Sequence, residues 1–163
     1  MLRQLLAGQL GIIGVIVYIL SSLTVIFLTL PVHEFAHGFA AEKLGDKTPR
    51  WQGRLTLNPF AHIDWLGAAC ILLFGFGWAK PVQVNANGFK NPKCDMALVA
   101  LAGPFSNIVV ALIALVLYNA ISLIPVIAAL YVALFFYYVA IINVSLAVFN
   151  LIPIPPLDGS RLL

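Results

Sequence analysis

Charge is scarce in this sequence. Of its 163 residues, nine are Lys or Arg and six are Asp or Glu, so 9% are charged and 62% are hydrophobic. A soluble domain normally carries about a quarter charged residues, so the composition excludes an ordinary soluble fold. The mean hydropathy of +1.02 points the same way. We therefore expect a multi-pass protein of the cell membrane, in contact with the lipid bilayer.

Cysteines, excess charge and repeats are also scarce, and each shortage excludes a class of protein. The two cysteines, Cys70 and Cys94, supply neither a disulfide framework nor a Cys-x-x-Cys metal site. A net charge of +3 without a basic tract excludes nucleic acid as a partner. Internal repeats and low-complexity linkers are absent, so we expect residues 1–163 to form a single domain.

Long hydrophobic runs dominate what the sequence does contain. Three are long enough to span about 30 Å of hydrocarbon as helices, at residues 8–30, 96–123 and 126–151. A fourth run, 65–78, is short for a span and indicates a short, tilted or re-entrant helix. The predicted fold class is therefore an all-α polytopic membrane protein with about four membrane segments, one of them short or re-entrant.

Prolines and polar stretches predict where regular helix ends. Pro31 lacks a backbone donor, so we expect it to kink the first helix or to open a new one. Gly103-Pro104 is expected to interrupt the second spanning helix. Short alternating patterns at 51–57 and 82–84 suit brief strands, which leaves room for a small β element within residues 47–90.

Basic residues are concentrated in two loops. Residues 43–64 and 79–95 contain seven of the nine Lys and Arg residues, whereas the turn at 119–125 contains none. Because basic residues mark cytoplasmic loops, we expect both loops to face the cytoplasm and the turn to face the opposite side.

The strongest chemical signal is the sequence His33-Glu34-Phe35-Ala36-His37. On an α-helix, residues four apart share a face, so His33 and His37 can bind one metal ion together. This is the H-E-x-x-H pattern of zinc peptidases, in which Glu34 is the candidate general base. Chance matches occur in soluble proteins, but ionisable residues inside an apolar membrane helix are functional by default. We therefore predict one Zn2+ per chain.

A third ligand has to come from elsewhere in the chain, because catalytic zinc usually takes three protein ligands and keeps a fourth position open. Asp158 is the best candidate, since it follows a proline-rich, unwound segment in an otherwise uncharged region, where an unpaired carboxylate would be costly. A helix-capping role is the simpler alternative for this residue. Weaker candidates for the third ligand are His62, Asp64, Cys70 and Cys94.

Asparagines at a similar membrane depth could assist the chemistry. Asn150 or Asn107 could stabilise an oxyanion. Counted from the basic loops, His37, Asp158 and the segment 103–107 lie at one level nearer the cytoplasm, which favours a single shared site. Gly103 and Asn107 are therefore candidates for substrate binding or for positions near the site, although close helix packing explains this spacing equally well.

Three motifs, in this order, resemble the site-2 protease family, which consists of zinc intramembrane metalloproteases of the M50 type. They are His33-Glu34-Phe35-Ala36-His37, Gly103-Pro104-Phe105-Ser106-Asn107 and Asn150-x-x-Pro153-x-x-Pro156-Leu157-Asp158-Gly159. The stretches at 53–64 and 75–82 are similar to a compact prokaryotic subgroup without PDZ or CBS domains. The resemblance extends from about residue 30 to the C-terminal end.

The resemblance implies a role for individual residues. His33, His37 and Asp158 would be the zinc ligands, Glu34 the catalytic glutamate, and Asn150 an assisting residue near the scissile carbonyl. The partners would be membrane-embedded protein substrates, whose transmembrane helices are cleaved in regulated intramembrane proteolysis. The family continues with a further helical segment, so we expect the sequence to be truncated at its C-terminal end, or the core to be incomplete.

A non-proteolytic membrane protein that binds or transports metal is the competing hypothesis. A transporter is expected to carry polar residues through the full membrane depth, whereas residues 109–142 are almost wholly apolar. A protein that only binds metal would not need Glu34. The sequence leaves the oligomeric state open.

Overall fold

The computed structural model describes residues 11–155 and 157–161, and this part of the chain is helical, without β-strands. Its α-helices in chain order are α1 Ile12–Thr24, α2 Leu30–Leu44, α3 Thr48–Trp51, α4 Trp65–Phe74, α5 Pro92–Ser122 and α6 Ile127–Asn150. Short 3-10 helices lie at Pro59–Ala61, Ala86–Gly88 and Asp158–Arg161. The prediction of an all-α protein is confirmed.

Helices α1 and α2 form one continuous stretch, Ile12–Leu44, of 33 residues. They are joined by a π-helical turn, Val25–Thr29, in which the Leu30 N–H bonds to the Val25 carbonyl. Pro31 lies in the first turn of α2, and the wider turn before it accommodates a residue that has no N–H to donate. Proline therefore opens a new α-helix, as predicted, without breaking the span.

Helices α5 and α6 form an antiparallel hairpin joined by the short turn at residues 123–126. The predicted interruption at Gly103-Pro104 is wrong, because α5 runs through Pro104 without a break. Membrane helices tolerate an internal proline when neighbouring helices and Ser or Thr side chains satisfy the freed backbone groups. The carbonyl that Pro104 leaves without an N–H partner is that of Ala100, and helices α2 and α6 both pack against α5.

Three helical stretches in the described residues are long and apolar enough to cross a membrane: Ile12–Leu44, Pro92–Ser122 and Ile127–Asn150. Helix α4 has only 10 residues, which agrees with the predicted short segment. Large apolar side chains cover the exterior, for example Leu112, Val116 and Ile127, all of which are more than half exposed. Since an apolar exterior suits lipid rather than water, the chain is a membrane protein.

Helix α5 is the central element of the packing. It lies along α6 on one side and against α2 on the other, while α1 packs on α6. The α1–α6 contact includes a hydrogen bond from Ser21 Oγ to the Phe135 carbonyl at 3.1 Å. It also includes an edge-to-face pair of Tyr18 and Tyr138, with ring centroids 5.3 Å apart. This packing brings the histidine-bearing face of α2 against α5.

The predicted β element is wrong, since residues 47–90 contain no strand. Around position 54 the chain turns back after α3, and the Arg54 N–H bonds to the Pro49 carbonyl at 2.9 Å. Around position 82 a side chain takes the place of a neighbouring strand, because the Val82 N–H donates to the Glu34 carboxylate at 3.0 Å. A strand needs backbone partners in a ladder, and here side chains and turns take their place.

Candidate active site

Helix α2 presents His33 and His37 on one buried face. The two residues are 3% and 4% exposed, and their ring centroids lie 4.7 Å apart. The Nδ1–H of His37 donates to the Val99 carbonyl of α5 at 2.7 Å. That bond leaves Nε2 as the unprotonated nitrogen, which is the form that binds a metal ion.

Asp158 completes a group of three ligand atoms. It begins the short 3-10 helix Asp158–Arg161, which follows the non-helical residues 151–155. Its Oδ2 lies 3.2 Å from His33 Nε2 and 3.0 Å from His37 Nε2, and the two nitrogens are 3.1 Å apart. In the part of the chain that the structure describes, these three residues form the one cluster of His, Cys, Asp or Glu able to hold a metal ion.

The triangle of ligand atoms fits zinc. Zn–N and Zn–O bonds of about 2.0–2.2 Å in a tetrahedron place neighbouring ligand atoms about 3.3–3.6 Å apart, close to the 3.0–3.2 Å found here. Two imidazoles and one carboxylate are also a known donor set for catalytic zinc. The donor atoms and their spacing therefore both suit zinc.

Gly103 forms the wall behind the two imidazoles. A Cβ atom at this position would lie 2.2 Å from His37 Nε2 and 2.6 Å from His33 Cε1. No side chain larger than hydrogen fits there without moving a ligand. Gly103 was predicted to lie near the site, and the structure places it in direct contact with both histidines.

Glu34 lies beside the ligands in a cavity of about 190 Å³, whose other walls include Asp158, Asn150, Asp64 and Trp78. Only 5% of Glu34 is exposed, and its Oε2 accepts the hydrogen bond from the Val82 N–H. The carboxylate is thus fixed at the rim of a space large enough for water and a peptide group. This is the arrangement that a general base requires.

The two predicted asparagines differ in position. Asn150, at the end of α6, lines the cavity, and its Nδ2 donates to the Leu146 carbonyl at 3.0 Å. Asn107 is buried one turn beyond Gly103, and neither of its amide atoms has a hydrogen-bond partner among the described residues. It does not line the described cavity around Glu34.

The weaker ligand candidates lie outside the metal-binding group. His62 is fully buried, but its Nε2 bonds to the Thr56 carbonyl at 2.8 Å. Asp64 lines the cavity while its Oδ1 accepts the Gly67 N–H at 2.9 Å, which caps α4. Cys70 is partly buried and Cys94 is exposed, and both are free thiols.

Electrostatics keep the third ligand anionic. Burial by itself would raise the pKa of Asp158, but the neighbouring His33 and His37 outweigh burial and hold the pKa well below its ordinary value. An ionised carboxylate is the form that binds zinc.

Sequence reasoning did not identify the backbone groups that orient the site. The Val99 carbonyl and the Val82 N–H each hold a functional side chain, but a backbone group leaves no signature in the identity of its residue. Trp78, which walls the cavity, was also overlooked. Trp78 lies at the end of the apolar run 65–78, and one more apolar residue in such a run does not indicate a functional site.

Proteins of related sequence carry metalloprotease names. The family model described as peptidase family M50 matches residues 124–163. The Bacillus subtilis protein named "Putative zinc metalloprotease YwhC" is 44% identical over 155 residues, which cover 90% of this chain and 70% of that protein. Proteins named "Putative zinc metalloprotease Rip2" from Mycolicibacterium smegmatis and Mycobacterium tuberculosis are each 32% identical. Those matches cover 81% and 94% of this chain, which spans 51% and 60% of the two relatives. No solved structure gives a significant match.

Proposed function

This chain belongs to peptidase family M50 and is a metalloprotease, and we propose that it is a zinc-dependent intramembrane endopeptidase. Its substrates would be membrane-embedded proteins, whose transmembrane helices it cleaves in regulated intramembrane proteolysis. We place the opening of the active site towards the cytoplasmic side of the cell membrane.

The observation that carries this proposal is the position of the ligand group within the span. His33 and His37 belong to the continuous apolar stretch Ile12–Leu44, and both are buried against α5. A peptide bond can reach these residues only within or at the edge of the bilayer. A transmembrane segment of another protein is the substrate class that supplies such a bond.

The chemistry follows from which residues line the cavity. His33, His37 and Asp158 would hold one zinc ion, which when bound supplies Lewis-acid polarisation of a carbonyl and activation of water. Glu34, fixed by Val82, takes a proton from the attacking water while the water oxygen bonds to the carbonyl carbon of the substrate. Glu34 then delivers that proton to the leaving nitrogen as the C–N bond breaks, which yields a carboxylic acid and an amine.

Asn150 is placed to orient the substrate. Its Nδ2 already donates to the Leu146 carbonyl, and the amide lines the same cavity as Glu34. A second N–H on this amide can donate to the scissile carbonyl oxygen, where negative charge develops during attack. We assign Asn150 the stabilisation of that charge.

The cytoplasmic orientation rests on the basic loops. Both basic connections adjoin the helix ends next to the site, whereas the turn between α5 and α6 carries no basic residue. Positive charge in short loops is retained on the cytoplasmic side. The cavity beside Glu34, bounded by Pro81 and Ala79 of one basic connection, is then the path for water.

The proposal is tested with purified protein in liposomes that contain a synthetic transmembrane peptide. Wild-type protein with zinc should cut the peptide within its apolar segment. Glu34→Gln should keep its zinc but lose at least about 100-fold in rate, because general acid–base catalysis contributes that much. Fragments are identified by mass spectrometry and zinc by elemental analysis.

The control variant is Glu42→Gln, which removes an acidic residue of the same helix that pairs with Arg50 at the surface, and it should cleave normally. Cleavage by Glu34→Gln at the wild-type rate would overturn the assigned general base. Zinc uptake into liposomes without any cleavage would favour the competing transport function.

A further inference from the structure

Arg54, in the loop motif at 53–64, lies beside the active site but has no part in the chemistry above. Its guanidinium donates to two backbone carbonyls, those of Ala61 and Lys80. These carbonyls belong to different connections, one before α4 and one after it. Because guanidinium donors project from a rigid plane, one arginine can hold two carbonyls in a fixed relation.

A second link fixes the same two connections to each other. The Lys80 N–H donates to the His62 carbonyl at 2.8 Å. His62 is fully buried, and its ring bonds to the Thr56 carbonyl at 2.8 Å. Burial lowers the pKa of His62, so the ring is neutral at neutral pH and its Nε2–H donates this bond. The loop before α4 therefore holds residues 79–82 in a fixed position.

Residues 79–82, which these links hold, end at a contact with the catalytic carboxylate of Glu34. Val82, two residues after Lys80, donates its N–H to Glu34 Oε2 at 3.0 Å. Both residues are buried. Within residues 11–155 and 157–161, this N–H is the single hydrogen-bond donor to the Glu34 side chain. Any shift of residues 79–82 would therefore move the general base.

The charge of Arg54 is compatible with this position. Burial lowers the pKa of Arg54, and the negative charge of Glu34 opposes that change, so the two charges lie near enough to interact. An arginine remains protonated under these conditions. The neighbouring loop residue Arg50 is in a different environment: it pairs with Glu42, and most of its side chain is exposed.

We propose that Arg54 is a positioning residue for catalysis. By joining the carbonyls of Ala61 and Lys80, it fixes the segment that presents the Val82 N–H to Glu34. The inference rests on the proposed peptidase function, and it adds a role for the loop motif that this function leaves unexplained.

Steady-state cleavage of the transmembrane peptide by Arg54 variants tests the inference. Arg54→Gln should lower kcat by about 10–100-fold, the usual loss when an outer residue that orients a site is removed. KM should change by less than about threefold and zinc content should stay equal, since Arg54 itself neither lines the cavity nor belongs to the ligand group. Arg54→Lys keeps the charge but cannot hold both carbonyls, so it should recover only part of kcat. Arg50→Gln, the matched loss of a loop cation, should behave as wild type.

A double-mutant cycle tests whether Arg54 acts through Val82. Val82→Pro removes the N–H that Glu34 accepts, and Val82→Ala, which keeps it, should lose less activity. If the two residues act in series, Arg54→Gln combined with Val82→Pro should be no slower than the slower single variant. Hydrogen exchange at the Val82 amide should also be faster in Arg54→Gln than in Arg50→Gln, which is a readout independent of cleavage.

The outcomes separate the two proposals. Absence of cleavage by the wild-type protein would contradict the peptidase function itself. Normal cleavage by Arg54→Gln, multiplicative losses in the double variant, or full recovery in Arg54→Lys would each overturn the positioning role. If Arg54→Gln loses its zinc or its thermal unfolding transition, hydrogen exchange at the Val82 amide is measured in Arg54→Lys instead. An exchange rate equal to that of the wild type overturns the positioning role, and a faster rate supports it.

Discussion

At the residue scale, His37 and Glu34 are each held by a backbone group through one side-chain atom, which leaves the other nitrogen or oxygen for chemistry. His37 uses Nδ1 for the Val99 carbonyl, and its Nε2 lies with the atoms of His33 and Asp158 that could hold a metal ion. Glu34 uses Oε2 for the Val82 N–H. Gly103 contributes by having no side chain, because its Cα faces the two imidazoles directly. Partners of this kind fix the orientation of metal ligands, and losing one typically costs about 10–100-fold in metal affinity or activity.

Gly103→Ala should therefore weaken zinc binding. The new methyl group would overlap His37 Nε2, so the imidazoles must move and the zinc affinity should fall by at least about tenfold, together with activity. Zinc affinity is measured by competition with a chromogenic chelator.

The matched control is Gly38→Ala in α2. Its methyl would meet the flexible end of the Leu55 side chain at 3.1 Å, which can yield, and zinc affinity should stay near the wild-type value. Equal affinities for Gly103→Ala and the wild type would show that Gly103 is not part of the metal site.

At the scale of elements, the short helix α4 joins two polar connections that both line the active-site cavity. Its start is fixed by Asp64, whose Oδ1 accepts the Gly67 N–H at 2.9 Å. The backbone at Gly67 approaches Trp78 so closely that a Cβ would lie 2.0 Å from its carbonyl oxygen. Since Trp78 also lines the cavity, the position of α4 controls one wall of the site.

Asp64→Ala should destabilise the protein by about 1 kcal/mol, because it removes the N-terminal cap of α4. Asp64→Ser keeps a capping oxygen and should lose only a few tenths of that amount. Thermal unfolding in detergent, followed by circular dichroism, measures the difference. Equal stabilities of the two variants would contradict the capping role and favour a role for Asp64 in the cavity alone.

At the scale of the whole molecule, three apolar stretches and one short helix surround the candidate site. The ligands come from α2 and from the end of the chain after α6, and α5 between them supplies the backing wall. The polar connections that border the cavity are also the basic ones. The side of the membrane on which these connections lie therefore also decides the side from which water reaches the site.

Labelling with a membrane-impermeant maleimide tests this orientation. Cys94, exposed in the first turn of α5, should react from the cytoplasmic side in a Cys70→Ala background, because it adjoins a basic loop. S122C, placed at the other end of α5 in a chain without Cys70 and Cys94, should react from the opposite side only. Inside-out and right-side-out vesicles provide the two exposures. The reverse pattern would contradict a cytoplasmic opening of the site.

The sequence by itself determined the three long helices and the pairing of two of the three candidate metal ligands. Uncharged runs of about 20 or more residues must form helices in a bilayer, since every backbone group has to be satisfied within the segment. His33 and His37 share a face because helical periodicity is local. Pro31 opens α2 for the same local reason, the missing N–H.

The tertiary structure decided what depends on distant contacts. Asp158 lies 125 positions from His33 along the chain, and only packing brings its carboxylate to 3.2 Å from the imidazole. The segments predicted as strands form none, because the Arg54 N–H turns back to the Pro49 carbonyl and the Val82 N–H donates to Glu34. Pro104 stays within α5, since α2 and α6 support that helix on both sides. A backbone N–H or carbonyl is the same in every residue except proline, so its partner is set by the fold and cannot be predicted from residue identity.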